Sequence, residues 1–142
     1  KPKNGLRAFE FDATQCPDLF PPLAALATNC SGTTRIKGAM RLAGKESDRG
    51  AVISEELGKL GGKVKVIGDV MEIIGTQLEG GNANSHNDHR IAMMCAVAAL
   101  NSKKGVRING EECVAKSYPN FFEDLKKICM KSETHGIGGM KR

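Results

Sequence analysis

TRIKG at residues 34–38 returns in altered form as VRING at residues 106–110, and this pair of segments decides how the chain is divided. Asp18 lies ahead of the first segment and Asp88 ahead of the second. Further corresponding segments and residues are LAAL at 23–26 with VAAL at 97–100, and Lys45 with Lys116. A period of about 70 residues is too long for a short solenoid repeat, so the sequence predicts a duplicated α/β unit.

The first unit, about residues 6–75, has a hydrophobic pattern that predicts the order βαβαββ. The predicted elements are a strand at 6–13, a helix around 23–27 with Pro21 and Pro22 in its first turn and Gly32 closing it, a strand at 33–37, a helix at 47–60, and strands at 63–67 and 70–74. Gly68 and Asp69, between the last two strands, are typical of a tight hairpin turn.

The second unit, about residues 86–131, is incomplete. Its predicted elements are a helix at 91–100, a strand at 106–109 and a helix at 121–128, preceded by a glycine- and asparagine-rich loop at 80–84. A closing hairpin is missing, and residues 132–142 have the composition of a disordered tail. The missing strands are expected from another part of a longer chain, and the edge they leave open favours self-association of copies.

The composition excludes several classes of protein. With 142 residues and 40% hydrophobic residues, the chain can bury one ordinary core. Five cysteines without a CxxC pair argue against a disulfide framework and a zinc site, and indicate reduced thiols in a cytoplasmic protein. No apolar run reaches the roughly 18 residues that cross a membrane. The formal net charge of +5 favours an anionic partner, either nucleic acid or a small phosphorylated molecule.

Charged residues concentrate at three predicted loop-to-helix junctions. They are KESDR at 45–49, HNDHR at 86–90 and AKSYP at 115–119. A helix N-terminus carries free N–H groups and partial positive charge, so cations placed there weaken the helix but sharpen an anion site. Such a local conflict is typical of a functional site.

Each junction also has a plainer interpretation. Taken alone, the first segment favours a solvated helical turn capped by Ser47 or Asp48, whereas Lys116 is equally well explained as a lysine that extends from a strand end into water. His86 and His89 at i, i+3 lack a third soft ligand nearby, which makes them a poor zinc set, so no metal site is predicted.

The duplication supplies the context that single junctions lack. If both units fold alike, equivalent loops and helix starts fall on one rim. That rim would gather Asp18, Asp88, Glu46, Lys45, Lys116, Arg49 and Arg90. A cluster with more cations than anions suits a substrate that carries two or three negative charges.

The same segments carry a family resemblance. CPDLFPP at 16–22, KESDR at 45–49, SHNDHRIAMM at 85–94 and AKSYPNFF at 115–122 are similar to the signature segments of 5-enolpyruvylshikimate-3-phosphate synthases, in the same order and at compatible spacing. The resemblance covers roughly residues 6–128 and is to the C-terminal part of such a synthase. The sister enolpyruvyl transferase that acts on UDP-N-acetylglucosamine shares the repeated unit but lacks KESDR and NDHR.

The resemblance implies a fold and a reaction. The fold has two lobes, each an inside-out α/β barrel-like assembly of three βαβαββ units, and this chain would supply about two units of the C-terminal lobe, residues 1–131. The reaction moves the carboxyvinyl group of phosphoenolpyruvate to the 5-hydroxyl of shikimate 3-phosphate, with loss of phosphate, and needs no metal or organic cofactor. Glyphosate and other anions that imitate phosphoenolpyruvate would compete for its site.

The resemblance also implies roles for individual residues. Asp18 and Glu46 would be the acid and base, and Asp18 and Lys45 would contact shikimate 3-phosphate. The phosphoenolpyruvate ligands would be Arg49, Arg90 and Lys116, with Asp88 and His89 in support.

The chain is too short for the whole enzyme that it resembles. The N-terminal lobe, which would present shikimate 3-phosphate, has no counterpart here, so the isolated chain is expected to have no turnover. The competing hypothesis is a non-catalytic basic α/β module that binds nucleic acid or another polyanion. A carboxylate accompanies the basic groups, and aromatic residues are not interleaved with them, which argues against nucleic acid. A membrane partner is not expected either.

Overall fold

The structure, a computed structural model, describes residues 5–45 and 48–133 of a mixed α/β chain. The strands and helices follow in the order β1 (Leu6–Arg7), β2 (Glu10–Asp12), α1 (Phe20–Ala27), β3 (Cys30–Ser31), β4 (Thr33–Lys37), α2 (Arg49–Lys59), β5 (Lys63–Ile67), β6 (Val70–Ile74), β7 (Gly81–Asn84), α3 (His89–Ala99), β8 (Val106–Asn109) and α4 (Phe121–Glu133). Three short 3₁₀ helices complete the described elements: one precedes α1 (Pro17–Leu19), one follows β4 (Ala39–Leu42) and one follows β8 (Glu111–Lys116).

A mixed sheet with the strand order β2-β4-β6-β5 forms one layer of the first half. β2 runs parallel to β4, whereas the other two pairings are antiparallel. Lys65, Glu72, Arg35 and Glu10 lie side by side across the four strands, so that charges alternate across this face of the sheet. Arg35 Nε lies 3.2 Å from Glu72 Oε1. Such cross-strand pairs favour this register, and they mark the solvent face.

The core lies between the other face of this sheet and the helices. Ile36 and Ile73 from the strands, Ile53 and Leu57 from α2, and Phe20 from α1 are all fully buried. Burying each of these side chains contributes roughly 1.5–3 kcal/mol. Helix α3 packs against both α1 and α2, so that the core continues from the first half of the chain into the second.

Gly75 allows a close approach that holds the end of β6 against β3. Its N–H donates to the carbonyl of Gly32 at 2.9 Å. A Cβ at this position would lie 1.4 Å from the carbonyl oxygen of Cys30. Only glycine fits here without a shift of the backbone.

The antiparallel hairpin is confirmed as the sequence predicts it, because β5 and β6 have the predicted bounds and Gly68 turns at φ +60°. The helices start or end within a few residues of their predicted bounds. α2 begins at Arg49, and α3 begins at His89 rather than at residue 91. α4 continues to Glu133, and the rest of the predicted tail, residues 134–142, lies outside the described residues.

Three local predictions are wrong. The strand predicted at 6–13 is two strands, β1 and β2, interrupted at Ala8 and Phe9. Gly32 does not close α1, which ends at Ala27, but turns the chain between β3 and β4 at φ +102°. The segment predicted as a loop at 80–84 contains β7, which pairs in parallel with β8. The sequence GNAN has little intrinsic strand preference, so β7 depends on its partner for the extended conformation.

The five cysteines are free thiols, as the sequence predicts. Burial raises the pKa of Cys95, which packs in the core, to about 12. Across residues 5–45 and 48–133, no helix is both long and apolar enough to span a bilayer.

Candidate functional site

Asp88 is a buried carboxylate at the centre of the contacts in the candidate site. It is the N-cap of α3, and its Oδ1 accepts a hydrogen bond from the N–H of Arg90 at 3.0 Å. Its side chain is fully buried, and its oxygens also face the guanidinium of Arg49, with Nε at 2.9 Å from Oδ2 and Nη2 at 3.5 Å from Oδ1. An N-cap aspartate is ordinary, but here the same carboxylate also neutralises a buried cation.

Arg49 is the first residue of α2, and 1% of its side chain is exposed. Asp48 caps this helix by accepting from the N–H of Ala51 at 3.4 Å, which sets the helix start so that Arg49 turns inward. Asp88 contacts Nε and Nη2 of Arg49, and the remaining nitrogen of Arg49, Nη1, donates to Asp18 Oδ1 at 2.8 Å. A buried guanidinium without such partners would cost several kcal/mol, so the contacts with Asp88 and Asp18 stabilise Arg49 in the interior.

Asp18 bridges two arginines. It lies in the 3₁₀ helix ahead of α1, with one oxygen on Arg49 Nη1 and the other 3.3 Å from Arg90 Nη2. Its side chain is 53% exposed, in contrast to the fully buried Asp88. Asp88 is therefore the fixed partner of Arg49, and Asp18 is the partner that another anion could replace. We call Asp18, Arg49, Asp88 and Arg90 the arginine–aspartate cluster.

Arg90 and Asp18 line a cavity of about 330 Å³ beside this cluster. Apart from these two charged residues, the wall of the cavity is largely apolar and consists of Pro22, Met93, Met94, Val97, Tyr118 and Phe121. Among the described residues, Arg90 Nε is a buried side-chain nitrogen without a hydrogen-bond partner. A buried donor without an acceptor is unfavourable, and an anionic ligand in the cavity would satisfy it.

Lys116 approaches the cluster from the end of the 3₁₀ helix that follows β8. Its Nζ donates to the carbonyl oxygen of Asn87 at 2.8 Å, one residue before Asp88. The next residue, Ser117, is hydrogen-bonded through Oγ to Nδ1 of His89. Two contacts thus tie the start of α3 to the Lys116 segment. Within the described part of the chain, no carboxylate forms an ion pair with Lys116, so its positive charge is available to a ligand.

The structure does not bring all of the predicted residues together. Asp18, Arg49, Asp88 and Arg90 are in direct contact, and Lys116 and His89 border them. Lys45 is exposed and forms no ion pair with another described residue. Glu46 lies outside the described residues.

Sequence reasoning missed Glu56. Its carboxylate is fully buried in α2, and it accepts from Lys59 Nζ, the N–H of Asn84 and Nε2 of His86, each at 2.8 Å. Burial alone would raise the pKa of Glu56, but the hydrogen bonds from Lys59, Asn84 and His86 outweigh it and hold the pKa below its ordinary value. The available signal was its position. Glu56 follows Ile53 by three residues and precedes Leu60 by four, so it lies on the apolar face of the helix.

Glu55, Glu56 and His86 present three potential metal ligands within 4.8 Å of one another. The ammonium of Lys59 lies 2.8 Å from Glu56 Oε1 and 3.7 Å from Glu55 Oε1. A cation is therefore already built into this group, and a metal ion would have to displace it.

Comparisons with known proteins agree about the family. The family model described as EPSP synthase (3-phosphoshikimate 1-carboxyvinyltransferase) matches residues 1–125. The 3-phosphoshikimate 1-carboxyvinyltransferase of Clostridium acetobutylicum is 48% identical over 127 residues, which are 89% of this chain and 30% of that protein. That of Aeropyrum pernix is 42% identical over 135 residues, which are 95% of this chain and 32% of that protein.

The solved structures give the same result. The structure of EPSP synthase from Acinetobacter baumannii matches with a TM-score of 0.72 and 35% sequence identity, over 76% of this chain and 26% of that chain. The chain therefore spans about 30% of the length of the proteins that it matches.

Proposed function

This chain belongs to the EPSP synthase family, and we propose that it is part of a 3-phosphoshikimate 1-carboxyvinyltransferase that transfers the enolpyruvyl group of phosphoenolpyruvate to the 5-hydroxyl of shikimate 3-phosphate. One observation carries the proposal. Arg49 and Arg90 present guanidinium nitrogens to the two oxygens of a single carboxylate, that of Asp18. Two guanidiniums that converge on one planar carboxylate suit the carboxylate of phosphoenolpyruvate.

Asp18 is a stand-in for the ligand carboxylate in this proposal. Its side chain is half exposed, so it can leave the arginines, whereas Asp88 is buried and remains on Arg49. Phosphoenolpyruvate then takes the place of Asp18 between Arg49 Nη1 and Arg90 Nη2. The unpartnered Nε of Arg90 and the adjacent cavity support this assignment.

The phosphate of phosphoenolpyruvate is assigned to Lys116. Its ammonium donates to the neutral carbonyl of Asn87, which leaves the positive charge available. Asp88 and His89 support this wall of the site: Asp88 fixes Arg49 and the start of α3, and His89 holds Ser117 beside Lys116. We assign neither residue a contact with substrate.

Proton transfer is assigned to Asp18 and Glu46. The 5-hydroxyl oxygen attacks C2 of phosphoenolpyruvate while one acid protonates the methylene carbon and a base removes the hydroxyl proton, which gives a tetrahedral adduct. The adduct then loses phosphate as the methyl carbon returns a proton. Once displaced from the arginines, Asp18 is free to contact shikimate 3-phosphate, and Lys45 is assigned to the same substrate.

The chain would supply about two βαβαββ units of one lobe, with the second unit incomplete. The order of β1 to β6 with α1 and α2, and the parallel pair β7–β8 beside α3, support this division. The remaining strands and the lobe that holds shikimate 3-phosphate would come from the rest of a longer chain. Copies of this chain alone are expected to associate through the edge that the missing strands leave open, and to have no turnover.

A binding experiment with matched variants tests the proposal. Phosphoenolpyruvate is titrated into the 142-residue chain, the R90Q variant and the control R107Q, which removes an exposed arginine from β8. R90Q is expected to weaken binding at least tenfold, and R107Q to leave it unchanged. Equal effects of the two variants on phosphoenolpyruvate binding would favour a general polyanion module instead. Binding of duplex DNA as tight as that of phosphoenolpyruvate, with an affinity that falls steeply as the salt concentration rises, would favour the same module. Release of phosphate from the two substrates by the 142-residue chain at an enzymatic rate would refute the expected lack of turnover.

A further inference from the structure

Glu56 is a buried charge that the proposed reaction does not use. It lies on α2, two helical turns after Arg49, and none of its hydrogen bonds described above reaches the arginine–aspartate cluster. A fully buried carboxylate is costly unless every oxygen is satisfied. Three donors surround this one, and two of them come from a single short segment, Asn84 and His86, at the end of β7.

That segment has a strained backbone. His86 and Asn87 have φ values of 54° and 56°, in the left-handed region that side chains other than glycine seldom adopt. Such a conformation persists only where the surrounding contacts enforce it. Two such contacts come from Glu56: its Oε2 accepts from the N–H of Asn84 at 2.8 Å, and its Oε1 lies 2.8 Å from Nε2 of His86.

A further set of hydrogen bonds closes the turn from the other side. Ser85 Oγ donates to the carbonyl of Gly110 at 2.9 Å and accepts from the N–H of Asn87 at 3.2 Å. The turn is therefore clamped between α2 and the loop after β8. We call residues 84–88 the left-handed turn.

The left-handed turn places two groups of the candidate site. It points the carbonyl of Asn87 at Lys116 Nζ, 2.8 Å away, and it ends at Asp88, whose carboxylate caps α3 and holds Arg49. If His86 and Asn87 relaxed to ordinary φ values, the Asn87 carbonyl would turn away from Lys116. The orientation of the Lys116 ammonium thus depends on a carboxylate on another helix.

We propose that Glu56 is a positioning residue of the anion site: its carboxylate holds Asn84 and His86 so that the left-handed turn presents Asn87 to Lys116 and Asp88 to Arg49. The inference rests on the proposed function for the identity of the anion, whereas the role of Glu56 in holding the turn does not depend on that function. Lys59 completes the arrangement by donating to the same carboxylate from the next turn of α2. Glutamine at position 56 would offer one acceptor oxygen to three donors, and no charge.

The test compares E56Q with E55Q in the isotopically labelled chain without ligand. Glu55 is the adjacent residue, its side chain is 56% exposed, and E55Q makes the same change of charge. In E56Q we expect the amide hydrogen of Asn84 to exchange at least about tenfold faster, since a hydrogen bond to a charged group is lost. We also expect the backbone carbon shifts of His86 and Asn87 to leave their left-handed values, and the side-chain nitrogen shift of Lys116 to change. E55Q should alter none of these signals.

A merely structural role for Glu56 predicts a different result. E56Q would then lower the melting temperature while the signals of His86, Asn87 and Lys116 stayed in place, and that result would overturn the proposal. If E56Q does not fold, H86A replaces it, because His86 is exposed and its ring is one of the anchors. H86A is expected to move the Asn87 and Lys116 signals, and unchanged signals would overturn the proposal equally.

A separate titration with phosphoenolpyruvate distinguishes this inference from the proposed function. Weaker binding by E56Q than by E55Q, together with loss of the left-handed turn, is the result expected if both hold. Absence of phosphoenolpyruvate binding by the wild-type chain would refute the proposed ligand, while the ligand-free signals would still decide whether Glu56 positions the turn.

Discussion

Replacing Asp88 by asparagine, D88N, isolates the charge that holds Arg49. Asparagine is as good an N-cap as aspartate, so α3 keeps its cap, and the side chain keeps its size. What is lost is the negative charge beside a guanidinium that is 1% exposed, at a position that is itself fully buried. Breaking a buried pair costs about 3–5 kcal/mol. Because Asp18 still accepts from Nη1 of Arg49, the lower end, about 3 kcal/mol, is expected.

The assay is the free energy of unfolding by urea, together with the melting temperature. In a domain of this size about 1 kcal/mol corresponds to roughly 3 °C, so D88N should melt about 9 °C below the wild-type chain. The matched control is D48N, which makes the same change at the N-cap of α2, where the side chain is exposed. D48N should change stability by less than about 0.5 kcal/mol. Equal losses in D88N and D48N would refute the argument that Asp88 neutralises a buried cation.

Three further predictions concern stability and reactivity. G75A should destabilise the chain by about 3 kcal/mol, because its Cβ would lie 1.4 Å from Cys30 O, whereas G58A has open space around the added Cβ and should stabilise α2 by about 0.5–1 kcal/mol. Urea unfolding measures both changes in free energy, and changes of the same sign would contradict the packing described at Gly75. Glu56 has a pKa below its ordinary value of 4.5, so its stabilising effect is complete above pH 4.5 and is lost as the pH falls through the lowered pKa. Over this pH range the melting temperature of E56Q should therefore fall less than that of the wild-type chain, and an equal fall in both would contradict the prediction. Cys95, with its pKa near 12 in a buried site, should react with iodoacetamide far more slowly than Cys16 and only on unfolding, and mass spectrometry showing equal rates would contradict the burial.

The elements that the sequence predicted best are those with local signals. β5 and β6 alternate in hydrophobicity around Gly68 and Asp69, and all the information for a hairpin lies within that stretch. Aspartates ahead of α2 and α3 marked the helix starts within two residues. In each case neighbouring residues alone determine the structure.

The elements that the sequence missed depend on distant partners. β7 consists of GNAN, and its extended conformation comes from pairing with β8, more than twenty residues later in the chain. The interruption between β1 and β2 likewise reflects separate pairings with β3 and with β4. No local pattern reports such pairings, because the preference of a strand depends on what it packs against.

The candidate site divides in the same way. The duplicated pattern predicts one rim that gathers seven residues, namely Asp18, Asp88, Glu46, Lys45, Lys116, Arg49 and Arg90. The structure brings Asp18, Asp88, Arg49 and Arg90 into contact with Lys116 beside them, whereas Lys45 is exposed without an ion pair to a described residue and Glu46 lies outside the described residues. The pairings could not be predicted, since which carboxylate is buried depends on packing between α2 and α3. Glu56 was missed for the same reason: its partner Asn84 lies in the segment 80–84, which the sequence predicts as a loop, and its partner His86 lies just beyond that segment.

The most direct test of the central claim is the side-chain nitrogen spectrum of the arginines during titration with phosphoenolpyruvate. A ligand carboxylate that displaces Asp18 should shift and slow the exchange of Arg90 Nε–H, the buried donor that lacks a partner within the described residues, and should shift the Arg49 signals, while Arg107 on β8 stays unchanged. D18N should bind phosphoenolpyruvate more tightly than the wild-type chain, because the internal competitor loses its charge. Shifts of similar size at Arg107 and Arg90, or weaker binding by D18N, would contradict the assignment of the arginine–aspartate cluster as the carboxylate site.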